Sequence, residues 1–209
     1  MTAARRRKPP TLRPKAAFTA LSLDPVLGPW VRKIGWPRLR RVSDPHFPYL
    51  VRSIVYQQLA GAAAATIHGR LVEAVGGTVT PRAIGRTADQ ALRGAGLSQG
   101  KLAAVRDLAD KAPGLGLDEL EWLPDDEVQE RLVTVRGIGP WTAHMFLMFA
   151  LRRPDVWPVG DLGVRAGYAR LHTLADPPTQ KEMIPLGEGY RPWRSAAAWY
   201  CWRALETEL

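Results

Sequence analysis

The chain has 209 residues, 46% of them hydrophobic, and a formal net charge of +9. That length buries a real core in one domain, or in two lobes of one. A single cysteine, Cys201, excludes an internal disulfide framework and any four-cysteine zinc or iron–sulfur site. No apolar run reaches membrane-spanning length, and no apolar stretch follows the basic start, so the expectation is a soluble, cytoplasmic protein with no membrane partner.

The charge is unevenly placed. Arg5, Arg6, Arg7, Lys8, Arg13 and Lys15 crowd the start, where no acid stands, which leaves the remainder only mildly basic. Residues 1–15, with Pro9, Pro10 and Pro14, read as a disordered basic tail that adds salt-sensitive affinity for polyanions. Residues 16–209 read as the folded part.

Helical signals then follow one another, separated by Gly and Pro, with no alternating strand pattern. Asp24-Pro25 opens a short helix through Val31. Phe47, Leu50, Val51, Ile54, Val55 and Leu59 fall at helical spacing. Gly61 to Val75 is Ala-rich and ends at Gly76-Gly77. Thr80-Pro81 and Thr87-Ala88-Asp89 carry N-cap signals. Leu102, Val105, Leu108 and Ala109 mark a helix over Lys101 to Lys111. Pro124-Asp125-Asp126-Glu127 sets Pro and acids into a first turn, as the helix dipole favours. The stretch from Pro140 to Leu151 is apolar nearly all round and belongs at the centre of the fold. Further helices run over Leu162 to His172, Gln180 to Gly187 and Pro192 to Leu205. The sum is an all-α chain of ten or so helices.

Between two of these helices lies Val135-Arg136-Gly137-Ile138-Gly139, followed by Pro140-Trp141. Two glycines one residue apart, then Pro at a helix start, make a tight turn that points backbone N–H groups outward. Such a turn is a ready anion site. A Cβ at either glycine would keep a phosphate backbone away. About twenty residues on, Asp161 follows Gly160 at the mouth of another helix, where an ordinary N-cap is the plain alternative. A phosphate grip followed by a lone carboxylate points to chemistry on nucleic acid.

The stretch from Leu132 through Ala143 resembles the helix–hairpin–helix motif of DNA-repair proteins. With Val159-Gly160-Asp161-Leu162-Gly163-Val164-Arg165 the resemblance narrows to the helix–hairpin–helix DNA glycosylases, and to their DNA-3-methyladenine glycosylase II branch. Ser53-Ile54-Val55-Tyr56-Gln57-Gln58-Leu59 and Arg191-Pro192-Trp193-Arg194-Ser195 match that branch as well. The resemblance implies a two-lobed all-α glycosylase fold with a cleft between the lobes. Residues 44–157 would form a helical barrel lobe with the hairpin at about 124–151, and residues 16–43 plus 158–209 the other lobe. The stretch before residue 44 is too short for the N-terminal α/β lobe of the branch's longer members, so the chain resembles the short form.

The resemblance also assigns roles. Asp161 would be the catalytic carboxylate, stabilising the oxocarbenium-like sugar and orienting the attacking water. Gln58, with Leu59 beside it, would fill the gap left by the flipped base; a helix-capping role for Gln57 and Gln58 is the alternative. Trp141, Trp202 and Met145 would line the base pocket, where an electron-rich aromatic face favours positively charged alkylated bases. Arg136, Gly137, Gly139, Thr142 and Arg165 would contact DNA. A monovalent cation, Na⁺ or K⁺, would sit at the backbone of Val135 and Gly137 when DNA is bound; no other cofactor is implied. Relatives that also cut the strand carry a Lys just after the hairpin to form a Schiff base, and Trp141 stands there instead. The implied activity is a monofunctional DNA-3-methyladenine glycosylase II type hydrolase acting as a monomer on damaged double-stranded DNA in a bacterial cytoplasm. It would release alkylated bases such as 3-methyladenine and 7-methylguanine and leave an abasic site. A glycosylase for uracil or hypoxanthine, or a non-catalytic DNA-binding module, is the alternative.

Overall fold

The structure is a computed structural model that describes residues 8–39, 42 and 44–208. It is all-helical, with no strand among the described residues. None of their helices is long and apolar enough to cross a membrane. The chain divides into two compact units, Met1–Lys8 with Val42–Ala143, and Pro9–Arg41 with His144–Leu209.

The Val42–Ala143 unit is built on α7 (Gln99–Leu115), whose first turn is capped by the Ser98 hydroxyl. Leu102, Val105, Leu108, Ala109 and Ala112 are buried along it. Three earlier helices pack on α7: α3 (His46–Tyr56), α5 (Pro81–Arg86) and α6 (Asp89–Gly94). Thr80 caps α5 as its sequence predicts, its hydroxyl accepting from the Ala83 N–H at 3.1 Å, a bond worth about 1 kcal/mol. Arg106 of α7 donates to the carbonyls of Ile84 and Thr87 and to the Asp89 carboxylate, fastening both short helices. Between α3 and α4 (Gly61–Ala74) runs a tight turn, Gln57–Ala60. A 3₁₀ segment, Leu117–Trp122, leads to α8 (Asp125–Val133), and the hairpin follows before α9 (Pro140–Met145).

The second unit is organised by α10 (Leu162–Leu171) and α12 (Arg194–Ala204). Their backbones come so close that a Cβ on Gly167 would lie 2.0 Å from the Cys201 carbonyl oxygen, so only glycine fits. Fully buried Ala196, Ala197 and Ala198 let α12 approach its other neighbours, which include α1 (Pro14–Leu21) and α2 (Leu27–Ile34). The short α11 (Gln180–Leu186) begins with a reciprocal capping box, Thr179 with Glu182.

Three expectations change here. Residues 1–7 of the expected tail lie outside the described residues, but Pro14 already starts α1, Leu12 is buried, and the Leu12 N–H donates to the Arg152 carbonyl at 2.7 Å. The folded part therefore starts before residue 16. Second, the helix expected from Pro140 to Leu151 changes character: Phe146–Ala150 are π-helical, and Leu151 is the C-cap. Third, the units divide at Ala143 and His144 rather than at 157 and 158, because the apolar π-helical stretch is buried with the C-terminal helices.

Candidate functional site

The hairpin forms by local bonds. The α8 end closes with Val135 N–H to the Leu132 carbonyl, and Ile138 N–H returns to the Val135 carbonyl at 3.0 Å. Ile138 is buried, pinning the loop as its apolar side chain predicts, while Arg136, Gly137 and Gly139 are exposed. Gly137 sits at φ +78°, and a Cβ there would lie 3.0 Å from the Ala104 Cβ. Nothing stands within 4 Å of where a Gly139 Cβ would be. The hairpin therefore has an open face lined by backbone at Gly139 and by the Arg136 side chain.

Three groups brace it from behind. The Arg136 N–H donates to Asp107 Oδ2 at 2.7 Å, and Lys111 Nζ donates to the Thr134 carbonyl at 2.7 Å. Lys111 and the Arg136 N–H hold the Asp107 carboxyl below its ordinary range. Gln57 Nε2 donates to the Gly137 carbonyl at 2.9 Å and to Thr142 Oγ1 at 3.3 Å. Thr142 is only 4% exposed, and its hydroxyl accepts from Gln57 within the unit. The Gly137 carbonyl accepts from Gln57, and the Val135 carbonyl accepts from the Ile138 N–H. Gln57 is the C-cap residue of α3, as the capping alternative has it, and its side chain also bridges to the hairpin.

The neighbouring turn carries the expected wedge. Gln58 and Leu59 are both exposed, and Gln58 has φ +55°, in the left-handed region that costs a non-glycine residue about 1–2 kcal/mol. Lys101 Nζ holds this turn through the carbonyls of Val55 and Gln57, at 2.7 and 2.8 Å. Partial burial holds the Lys101 ammonium below its ordinary value. Trp141, first in α9 after Pro140, is 45% exposed, unusual for so large an apolar side chain.

In the second unit, the turn Trp157–Asp161 closes with the Asp161 N–H on the Pro158 carbonyl. Asp161 is the N-cap of α10, 8% exposed, with Oδ1 accepting from the Val164 N–H at 2.8 Å and the Trp202 indole N–H at 2.9 Å. The expected N-cap is therefore present, and the indole fixes the same carboxylate oxygen. Trp202 stacks on Phe149 of the π-helical segment, ring centroids 6.0 Å apart. A Cβ on Gly163 would lie 2.9 Å from Trp202 Cδ1 and 3.2 Å from Asp161 Oδ1; glycine there lets the indole reach the carboxylate. Met145 is half-buried. Burial, then the Asp161 charge, pushes the Cys201 thiol up, so it stays an inert hydrophobe.

Arg165, expected on DNA, is half-buried and its Nε donates to the Pro178 carbonyl at 2.6 Å. It braces the loop before α11. Arg194 binds both Asp155 carboxylate oxygens and Glu188, and Arg191 pairs with the same two acids, so this network closes the segment ahead of α12. Lys101, Asp107, Lys111 and Gln57 carry functions that motif reading missed. Only their polar character next to buried apolar positions could have flagged them.

The description "HhH-GPD superfamily base excision DNA repair protein" matches residues 51–192. The chain is 36% identical over 197 residues to DNA-3-methyladenine glycosylase 1 of Schizosaccharomyces pombe, covering 90% of this chain and 86% of that protein. The S. pombe 3-methyladenine DNA glycosylase solved with abasic DNA superposes with a TM-score of 0.80 at 34% identity, covering 92% of this chain and 97% of that one. The DNA-3-methyladenine glycosidase of Bacillus halodurans gives 0.83 at 34% identity, covering 94% and 90%. With the hairpin, the capped carboxylate and the helical architecture all in place, the chain belongs to the HhH-GPD superfamily of base excision DNA repair proteins.

Proposed function

We propose that this chain is a monofunctional DNA glycosylase that flips alkylated bases such as 3-methyladenine and 7-methylguanine out of double-stranded DNA and hydrolyses the N-glycosidic bond. The observation that carries it is Asp161: a carboxylate nearly removed from solvent, with one oxygen fixed by the Trp202 indole and the Val164 N–H. As the base departs with the bonding electron pair, positive charge grows on the deoxyribose. A pre-oriented carboxylate stabilises that charge without reorganising, and it orients water for attack at the anomeric carbon. The product is an abasic site.

The other residues take the remaining steps. The exposed hairpin backbone at Gly139, with Arg136, grips phosphate. Gln58, presented with Leu59 on the strained turn, fills the stack at the site of the missing base. Within the second unit, the Trp202 face, with Met145, offers a surface to a cationic alkylated base, which an aromatic ring attracts more than it does a neutral one; the exposed Trp141 ring of the other unit has the same chemistry. Strand cleavage by Schiff base has no lysine to serve it: Trp141 stands just after the hairpin, and the Lys101 and Lys111 ammonium groups are each bound to backbone carbonyls. A monovalent cation, Na⁺ or K⁺, brought in with DNA would sit at the backbone of Val135 and Gly137. The site of action is chromosomal DNA in a bacterial cytoplasm.

Base release from methylated, uracil-containing and hypoxanthine-containing duplexes tests the reading. Release from methylated DNA is expected, with Asp161→Asn losing at least about a hundredfold in rate, the scale of a lost electrostatic stabiliser. Asn caps helices as well as Asp, so fold and DNA affinity should persist in the variant. Release of uracil or hypoxanthine alone moves the substrate class; binding without any release makes the chain a DNA-binding module; a borohydride-trapped covalent complex overturns the monofunctional reading.

A further inference from the structure

Four features of α7 point at two different loops. Lys101 holds the Val55 and Gln57 carbonyls of the wedge turn. Ala104 lies directly under Gly137. Asp107 accepts the Arg136 N–H, and Lys111 donates to the Thr134 carbonyl and to Asp107. Spacings of three, three and four residues keep all four on one face of a helix. Gln57 closes the circuit, since its backbone carbonyl binds Lys101 while its side chain binds the Gly137 carbonyl.

We propose that α7 is a strut setting the distance and register between the phosphate-gripping hairpin and the wedge turn, with Lys101 the positioning residue that keeps Gln58 poised for base flipping. The reasoning rests on the proposed glycosylase reading. Flipping requires the wedge to enter the stack at a fixed offset from the phosphate that the hairpin holds. Two loops cannot keep such an offset by themselves, because function needs tolerances well under an ångström. A single helix that touches both loops can. The Gln58 backbone is strained at φ +55°, so the turn relaxes unless something over-determines it. Lys101 supplies two charge-assisted bonds to that turn, about twice as strong as neutral ones. No other ammonium reaches these carbonyls among the described residues.

The test compares full-length Lys101→Met and Lys111→Met with the unaltered chain in single-turnover base release. One duplex carries 7-methylguanine opposite cytosine, and the other carries it opposite an abasic site, where extrusion is cheaper. Lys101→Met is expected to slow release from the paired duplex by about tenfold or more, while staying within about threefold on the unpaired lesion. That recovery also shows the variant to be folded. Lys111→Met, which loosens the hairpin side, should weaken binding to an undamaged duplex and slow both lesions alike. Unchanged release by Lys101→Met from the paired duplex, or equal slowing on both, overturns the proposal. Amide hydrogen exchange at Gln58 and Leu59 needs no substrate: faster exchange in Lys101→Met supports the strut, and unchanged exchange overturns it. If the unaltered chain releases no alkylated base, the glycosylase reading falls and the exchange result still decides the strut.

Discussion

Asp161 Oδ1 accepts from both the Val164 N–H and the Trp202 indole, so capping α10 and fixing the orientation of the proposed catalytic carboxylate are one arrangement rather than rival roles. The cap fixes the backbone end of the side chain, and the indole fixes its rotation. Both depend on Gly163, whose missing Cβ leaves room for the indole edge. Gly163→Ala would place a methyl 2.9 Å from Trp202 Cδ1 and push the ring off Asp161. Overpacking of this kind costs about 1–3 kcal/mol. The expected result is a lower melting temperature and base release slowed by an order of magnitude or more, with affinity for undamaged DNA unchanged. Single-turnover kinetics beside a filter-binding titration measures the split, and a variant of full activity would show that the indole bond does not orient the carboxylate.

Among the elements, the hairpin makes the clearest case for geometry written into sequence. Gly137 meets two demands at once, a positive φ and a clearance of only 3.0 Å to Ala104. Gly137→Ala should therefore cost about 1–3 kcal/mol from backbone strain alone and weaken DNA binding. Adding Ala104→Gly removes the steric part and leaves the strain, so the double variant should regain only part of the stability in thermal melts. Full recovery would mean that φ contributes nothing. The glycines, Ile138 and Asp161 were legible because each answers a local rule: a turn, a staple, a cap. Helices with strong apolar periodicity, such as α3 and α7, were legible for the same reason. The signal failed where tertiary packing decides. Pro14 and flanking charge read as tail, yet α1 is held by Leu12 and Ala17 in the core. The π-helical turn at Phe146–Ala150 shares its composition with an α-helix. The inward bonds of Thr142 and Arg165 were not legible either, because motif matching says which residues surround a grip, not which way each side chain turns. The Lys101 and Gln57 bonds join residues more than forty positions apart, and no local pattern records such a partnership.

Across the whole molecule, the histidines set a common acid limit. The chain has four, and three are held below the ordinary histidine value. Burial is the leading cause for His144, with Arg194 adding to it. Burial also leads for His68, helped by Arg52 and opposed by Asp44, and for His172, opposed by Asp24. An unfolded chain takes up protons at these rings near pH 6.5, whereas the folded one does so only at lower pH. The unfolded state thus binds more protons in that interval, and stability rises with pH across it. Stability from the neutral rings is complete above about pH 6.5 and is lost as pH falls through the interval toward the depressed folded values. Below it the carboxylates follow. Asp107 is held low first by its bond to Lys111 and then by the Arg136 N–H, so its share vanishes only under more acid conditions and takes the hairpin brace with it. Thermal melts between pH 8 and pH 5 should show a falling midpoint. His144→Gln should flatten that fall while changing the pH 8 midpoint little, since a neutral side chain replaces a neutral ring. An unchanged pH slope in the variant would remove His144 from the account. Base release measured at pH 6 on the folded protein separates this loss of fold from any titration in the site, because the fraction folded can be read from the same melts.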